Sequence, residues 1–300
     1  FNADALAEIE KLAAETADGG PGIVLGGPWV EGERRFNGLF VLDGGKVHAR
    51  RAKHELPNYG VFDEKRVFDA GPAPGPVPFR GFRLGLMICE DWWFPTVAET
   101  LAESGAEVLI SINGSPFEVG KPERRIDLAV PRVVETGLGF VFLGQIGGQD
   151  ELVFEGGSFV LNPDRGLALQ MPLFAEAVTL TEWRREAGRL VCAPQPLPPA
   201  MPRLEQIYRA MALGLADYVN KNRFPGVVLG LSGGIDSAIS AAVAADALGP
   251  ERVRCVMMPS PYTSRESLED AALCAEALGI RYETIDIGPA MQAFGAMLAL

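Results

Sequence analysis

The chain has 300 residues, of which 48% are hydrophobic and 22% charged, and it carries a formal net charge of −12. This length suggests two domains of ordinary size, and the acidic balance excludes an extended nucleic-acid surface, because phosphate contacts rely on Lys and Arg. No apolar run approaches the ~20 residues needed to span a bilayer, and the first residues lack the basic and apolar stretches of a leader.

The chain opens without Met on a helical pattern, Leu6, Ile9, Leu12 and Ala13. Strands are then predicted over 22–26, 38–43, 82–89, 107–112, 139–144 and 157–162, with helices over 96–104 and 129–136. Several of these strands are apolar on both faces, as in a covered sheet. A Pro-rich stretch, 193–203, reads as a linker. After it comes an amphipathic helix over 204–222. A βαβαβ series follows, with strands over 227–231, 252–258 and 281–287. Its second crossover helix is expected to begin near Ser267-Leu268-Glu269-Asp270 and to stop at Gly279. Residues 291–300 read as a further helix. The fold class is therefore α/β in two parts, and both ends look cut, so a fragment of a longer protein is expected. The four cysteines, Cys89, Cys192, Cys255 and Cys274, show neither zinc spacing nor a disulfide framework. A reducing cytoplasm is the expected compartment.

Two places carry chemistry. The first in importance is Ser232-Gly233-Gly234-Ile235-Asp236-Ser237. It joins an apolar strand to an Ala-rich helix. A Gly-rich turn at a helix start aims free N–H groups and the positive dipole end at one point, which suits phosphate. Ser232 and Ser237 can donate to phosphate oxygens. Asp236 repels phosphate unless a cation lies between them, so it points to Mg²⁺. No Lys follows the glycines, which excludes the Walker pattern. The second place is Cys89, at the end of an apolar strand and followed by Glu90-Asp91-Trp92-Trp93. A lone buried Cys is ordinarily structural, but this one ends a strand beside charge and aromatic bulk. His48 and His54 offer no distinctive partner, so Lys53 and nearby carboxylates are the candidates to activate the thiol.

The SGGIDS string resembles the pyrophosphate loop of ATP pyrophosphatases. Lys53, the Phe62-Asp63-Glu64 segment and the Ile88-to-Trp92 segment resemble the nitrilase, or carbon–nitrogen hydrolase, superfamily. That resemblance implies an αββα sandwich, with Cys89 as nucleophile, Lys53 and the Glu90 backbone N–H as oxyanion donors, and Glu64 as accessory carboxylate. It places the family's general-base Glu upstream of residue 1. A nitrilase-like part followed by an SGGIDS part resembles the glutamine-dependent NAD⁺ synthetase family, whose pattern departs here at Gly144, where Asn is expected. This implies a glutaminase domain over 1–192, a linker over 193–203 and an incomplete Rossmann-like ATP-binding domain over 204–300. It further implies glutamine, ATP and deamido-NAD⁺ as substrates, Mg²⁺ as cofactor and a homo-oligomer when intact. Tyr59, Ser115 and Lys121 would bind glutamine. Ser232, Gly233, Gly234, Asp236, Ser237 and Met258 would bind ATP, with Asp236 on the metal. The fragment by itself is expected to be inactive. Two alternatives stand beside this reading: an amidase with a nucleotide-binding regulatory C-terminal region, and a nucleotide-sensing module.

Overall fold

Period-two alternation in the strand Arg34–Asp43 organises the first half of the molecule. In the computed structural model, which describes residues 2–298, this strand (β2) lies between β1 (Ile23–Glu31) and β3 (Lys46–Ala52) in an antiparallel sheet. Phe36, Phe40 and Leu42 on one face pack with Trp29 against Ile9 and Ala13 of the helix α1 (Asn2–Glu15). Leu39 and Val41 on the other face meet Leu86 and Ile88. Successive side chains of a strand point to opposite faces, so one sequence supplies both contacts.

Leu86 and Ile88 belong to β5 (Phe82–Ile88), part of a six-stranded sheet. After the short helix α2 (Glu64–Val67), this sheet is built from β4 (Val77–Phe79), β5, β6 (Val108–Asn113), β7 (Gly139–Gly144), β10 (Phe159–Leu161) and β11 (Leu167–Gln170). Their order is β11-β10-β7-β6-β5-β4, with β5, β6 and β7 parallel. The outer face of this sheet is covered by α3 (Pro95–Glu103) and α4 (Lys121–Thr136). Trp92, Leu101, Leu109, Val133 and Phe140 are buried there. The layers run helix, sheet, sheet, helix, the αββα sandwich expected. The hairpins β8 (Ile146–Gln149) with β9 (Leu152–Glu155), and β12 (Trp183–Glu186) with β13 (Arg189–Cys192), stand outside the large sheets.

The chain divides into two compact units: one running to Ile146 and resuming over Glu155–Ala200, the other made of Gly147–Phe154 and the chain from Met201. The second unit holds α5 (Arg203–Lys221), β14 (Val227–Gly230), α6 (Ile235–Leu248), β15 (Val253–Met257), α7 (Arg265–Leu278), β16 (Arg281–Thr284) and α8 (Gly288–Leu298). Its three strands are parallel, in the order β14-β15-β16. The tip of the β8–β9 hairpin belongs to this unit. Gly148 N–H donates to Asp217 Oδ2 at 2.6 Å, and Lys221 Nζ donates to Gly148 O at 2.6 Å.

Several boundaries differ from expectation. The helix expected over 129–136 starts at Lys121, with Pro122 in its first turn, where a missing N–H costs nothing. The cap of α7 is Ser264, whose hydroxyl accepts from Ser267 N–H, so the helix begins ahead of Ser267. The strand expected over 281–287 stops at Thr284. The helix expected over 291–300 starts at Gly288, and residues 299 and 300 lie outside the described residues.

Candidate active sites

Alternation along β5 puts Met87 among the helices and Leu86 and Ile88 between the sheets. Cys89 would therefore be expected on the helix side. Its backbone instead turns into the left-handed region, with φ +45°, and the side chain packs with the inter-sheet cluster. Such a conformation is costly for a residue with a Cβ and persists only where the surroundings fix it. A single 3-10 turn, Cys89–Trp92, follows at once.

The turn delivers Cys89 to a cavity of about 490 Å³ whose lining includes Lys53, Phe62, Glu64, Asn113 and Gln145. Lys53 is fully buried and its Nζ donates to Glu64 Oε1 at 2.7 Å. Asn37, on β2, holds both partners. Its Nδ2 donates to Glu64 Oε2 at 3.3 Å, and its carbonyl accepts from Lys53 N–H at 2.8 Å. Burial pushes the Cys89 thiol up, and the Glu64 and Glu90 carboxylates push the same way, while Lys53 and Arg125 pull it down.

Tyr59, Ser115 and Lys121 do not line this cavity. Tyr59 donates from its hydroxyl to Glu90 Oε2 at 2.8 Å; burial and that bond push its pKa up to about 12, so it remains a donor. Ser115 is buried, and its carbonyl accepts from Arg125 Nη2 at 2.8 Å. Lys121 Nζ donates to Glu118 Oε1 at 2.8 Å. Arg125 also pairs with Glu155, a fully buried carboxylate that burial holds above its ordinary range. Gly144 fits its backbone as no other residue would, because a Cβ there would lie 2.4 Å from Gly156 O.

In the second unit the SGGIDS turn joins β14 to α6. Gly233 has φ +80°, and a Cβ on it would lie 2.3 Å from Ser267 O at the start of α7. Gly234 is the residue before the first helical turn of α6. The two hydroxyls occupy each other: Ser232 Oγ and Ser237 Oγ are 3.1 Å apart, Ser237 Oγ accepts from Ser232 N–H, and it donates to Gly234 O at 2.9 Å. Asp236 is exposed in the first turn of α6. Met258 is half exposed beside Gly230. Among the described residues no three His, Cys, Asp or Glu side chains converge to hold a metal. Mg²⁺ takes one or two carboxylates and completes its shell with water and substrate phosphates, so Asp236 alone fits that role.

Residues 2–192 match the sequence profile of the carbon-nitrogen hydrolases. The chain belongs to the carbon-nitrogen hydrolase family. Residues 207–299 match a second profile, NAD synthase. The chain is 48% identical to the glutamine-dependent NAD(+) synthetase of Rhodobacter capsulatus, over 99% of its own length and 54% of the relative's. It is 39% identical to the enzyme of that name from Acinetobacter baylyi, over 87% of this chain and 48% of the relative. The structure superposes on the glutamine-dependent NAD+ synthetase of Acinetobacter baumannii in complex with ADP. The TM-score is 0.92 at 37% identity, covering 98% of this chain and 56% of the other. The chain thus spans about half the length of the relatives it matches. Sequence reasoning singled out neither Asn37, which lines the cavity, nor the buried pair Arg125 and Glu155. A lone Asn inside the apolar run Phe36–Leu42 was the one available signal.

Proposed function

We propose that the chain carries the glutaminase and ATP-binding parts of a glutamine-dependent NAD⁺ synthetase. What carries the proposal is the meeting of Cys89, Lys53 and Glu64 at one cavity, in a chain that also holds a phosphate-binding turn at the start of α6. The Cys89 sulfur would attack the carboxamide carbon of glutamine. The oxyanion so formed falls to Lys53 and the Glu90 backbone N–H. Collapse of the tetrahedral adduct breaks the C–N bond, and the nitrogen leaves as ammonia carrying the proton that the Cys89 thiol gave up. Water then hydrolyses the thioester to glutamate and the free thiol. The Glu64 carboxylate is engaged by Lys53 and Asn37, which suits it to holding Lys53 rather than to taking the thiol's proton. Tyr59, Ser115 and Lys121 are assigned to glutamine.

In the second unit, Ser232, Gly233, Gly234 and Ser237 would cradle the pyrophosphate of ATP, with Mg²⁺ on Asp236 and Met258 beside the nucleotide. The Ser232–Ser237 hydroxyl pair must open to serve phosphate. The carboxylate of deamido-NAD⁺ displaces pyrophosphate to form an adenylate, and ammonia then displaces AMP to give NAD⁺. The four cysteines are free, and none of the described helices is long and apolar enough to cross a membrane. A cytoplasmic setting, where free thiols persist, and a homo-oligomer belong to the same proposal.

The test is Cys89→Ala. In the full-length protein, NAD⁺ formation from glutamine should fall to background while formation from ammonium chloride stays within about twofold. Retained use of glutamine would remove Cys89 as nucleophile. Failure of the full-length protein to release pyrophosphate from ATP would instead favour an amidase with a regulatory nucleotide site.

A further inference from the structure

Asp91 is fully buried, and none of the steps above uses it. Its carboxylate accepts four hydrogen bonds. Oδ1 accepts from the backbone N–H groups of His54 and Glu55, each at 2.9 Å. Oδ2 accepts from Ile88 N–H at 3.0 Å and from Arg51 Nη2 at 2.9 Å. A carboxylate offers about four lone-pair positions, so it is saturated. The partners are not scattered. Ile88 immediately precedes Cys89, while Arg51 on one side and His54 and Glu55 on the other bracket Lys53.

We propose that Asp91 is a positioning residue that sets Lys53 against Cys89. The proposal rests on the reading of these two residues as oxyanion donor and nucleophile. One buried carboxylate spans the two segments that carry them. Bonds from N–H groups and a guanidinium to a carboxylate are charge-assisted, and they are shorter and stronger than neutral ones. The Ile88 bond lies directly against the left-handed turn at Cys89, which needs such a restraint. On the β2 side, Asn37 O fixes Lys53 N–H, and Lys53 O accepts from Gly71 N–H at 2.8 Å. The Lys53 backbone is thereby held from both sides, and Asp91 ties it to the nucleophile. Misplacing such a pair by about 1 Å costs on the order of a hundredfold in rate.

Asp91→Asn tests this, because it keeps the shape but turns one terminal oxygen into an NH₂ group facing donors only. The kcat with glutamine should fall about a hundredfold, with KM changed less than about threefold. Alkylation of Cys89 by iodoacetamide, read at the Cys89 peptide by mass spectrometry, should shift its pH midpoint upward, toward that of Lys53→Ala. Asp91→Glu, which restores the charge, should recover part of both. A wild-type alkylation profile with glutamine turnover within threefold of wild type would overturn the proposal. If Asp91→Asn does not fold, Arg51→Met removes one donor of four and must still move the midpoint upward; an unmoved midpoint counts equally against it. Alkylation needs no substrate. Failure of the unaltered protein to use glutamine would therefore sink the functional reading and leave this one open to its own test.

Discussion

Cys89 sits among two cations and two carboxylates, and the balance of these with burial decides its reactivity. Burial leads, and it holds the thiol above its ordinary pKa. Alkylation of Cys89 should therefore need a higher pH than that of an ordinary exposed cysteine. Glu64 raises that pKa, so Glu64→Gln should lower it and speed alkylation at pH 8. Glutamine turnover should nonetheless fall, because Lys53 loses its anchor. Lys53 lowers the pKa, so Lys53→Ala should slow alkylation at the same pH. Parallel changes in the two variants would contradict this electrostatic picture. Lys53, Glu64 and Cys89 were legible in the sequence because each stood in a distinctive string. Asn37 had only its place in an apolar run to mark it, and Asp91 stood only as part of the string after Cys89; most of their hydrogen bonds run to residues distant in the chain.

At the scale of elements, the SGGIDS turn was readable because strand, glycines and helix are contiguous. What the sequence did not show is that Gly233 is needed by α7, whose Ser267 backbone lies against it. Gly233→Ala places a Cβ against Ser267 O at a positive φ. It should destabilise the second unit by about 1–3 kcal/mol and abolish ATP binding, measurable by thermal unfolding with and without ATP. Removing the α7 cap with Ser264→Ala should cost about 1 kcal/mol and leave ATP binding in place; a loss of binding would show that the cap also shapes the loop. The strand β3 escaped the sequence reading because Lys46, His48 and Arg50 alternate with small or half-buried residues, and its apolar signal is weak. The α4 helix extends ahead of the expected start at Ala129 because its first two turns, Lys121–Asp127, are mostly charged and carry little apolar signal.

At the scale of the whole molecule, the α/β class and the parallel strands of the second unit follow from the apolar runs and the Gly-rich turn, whereas the αββα sandwich was implied only by the resemblance to the carbon–nitrogen hydrolases. The division into units does not follow from the chain order alone. The segment Gly147–Phe154 lies in the first half of the sequence but packs with α5. Gly148 is close to Gly214, where a Cβ would meet the Gly214 Cα at 3.0 Å. A single protease cut in the Pro-rich stretch 193–203 should therefore leave two fragments that co-elute in size-exclusion chromatography, held by this hairpin. Asp217→Ala removes a donor's partner at Gly148 and should weaken that association; fragments that separate without any substitution would refute the role given to the hairpin. The same arrangement has a consequence for synthesis. A ribosome delivers the chain from its N-terminus, so the hairpin emerges well before the helix that receives it. Until α5 is made, those eight residues are a tethered loop waiting for a seat, and the second unit is assembled from two stretches of chain made at different times.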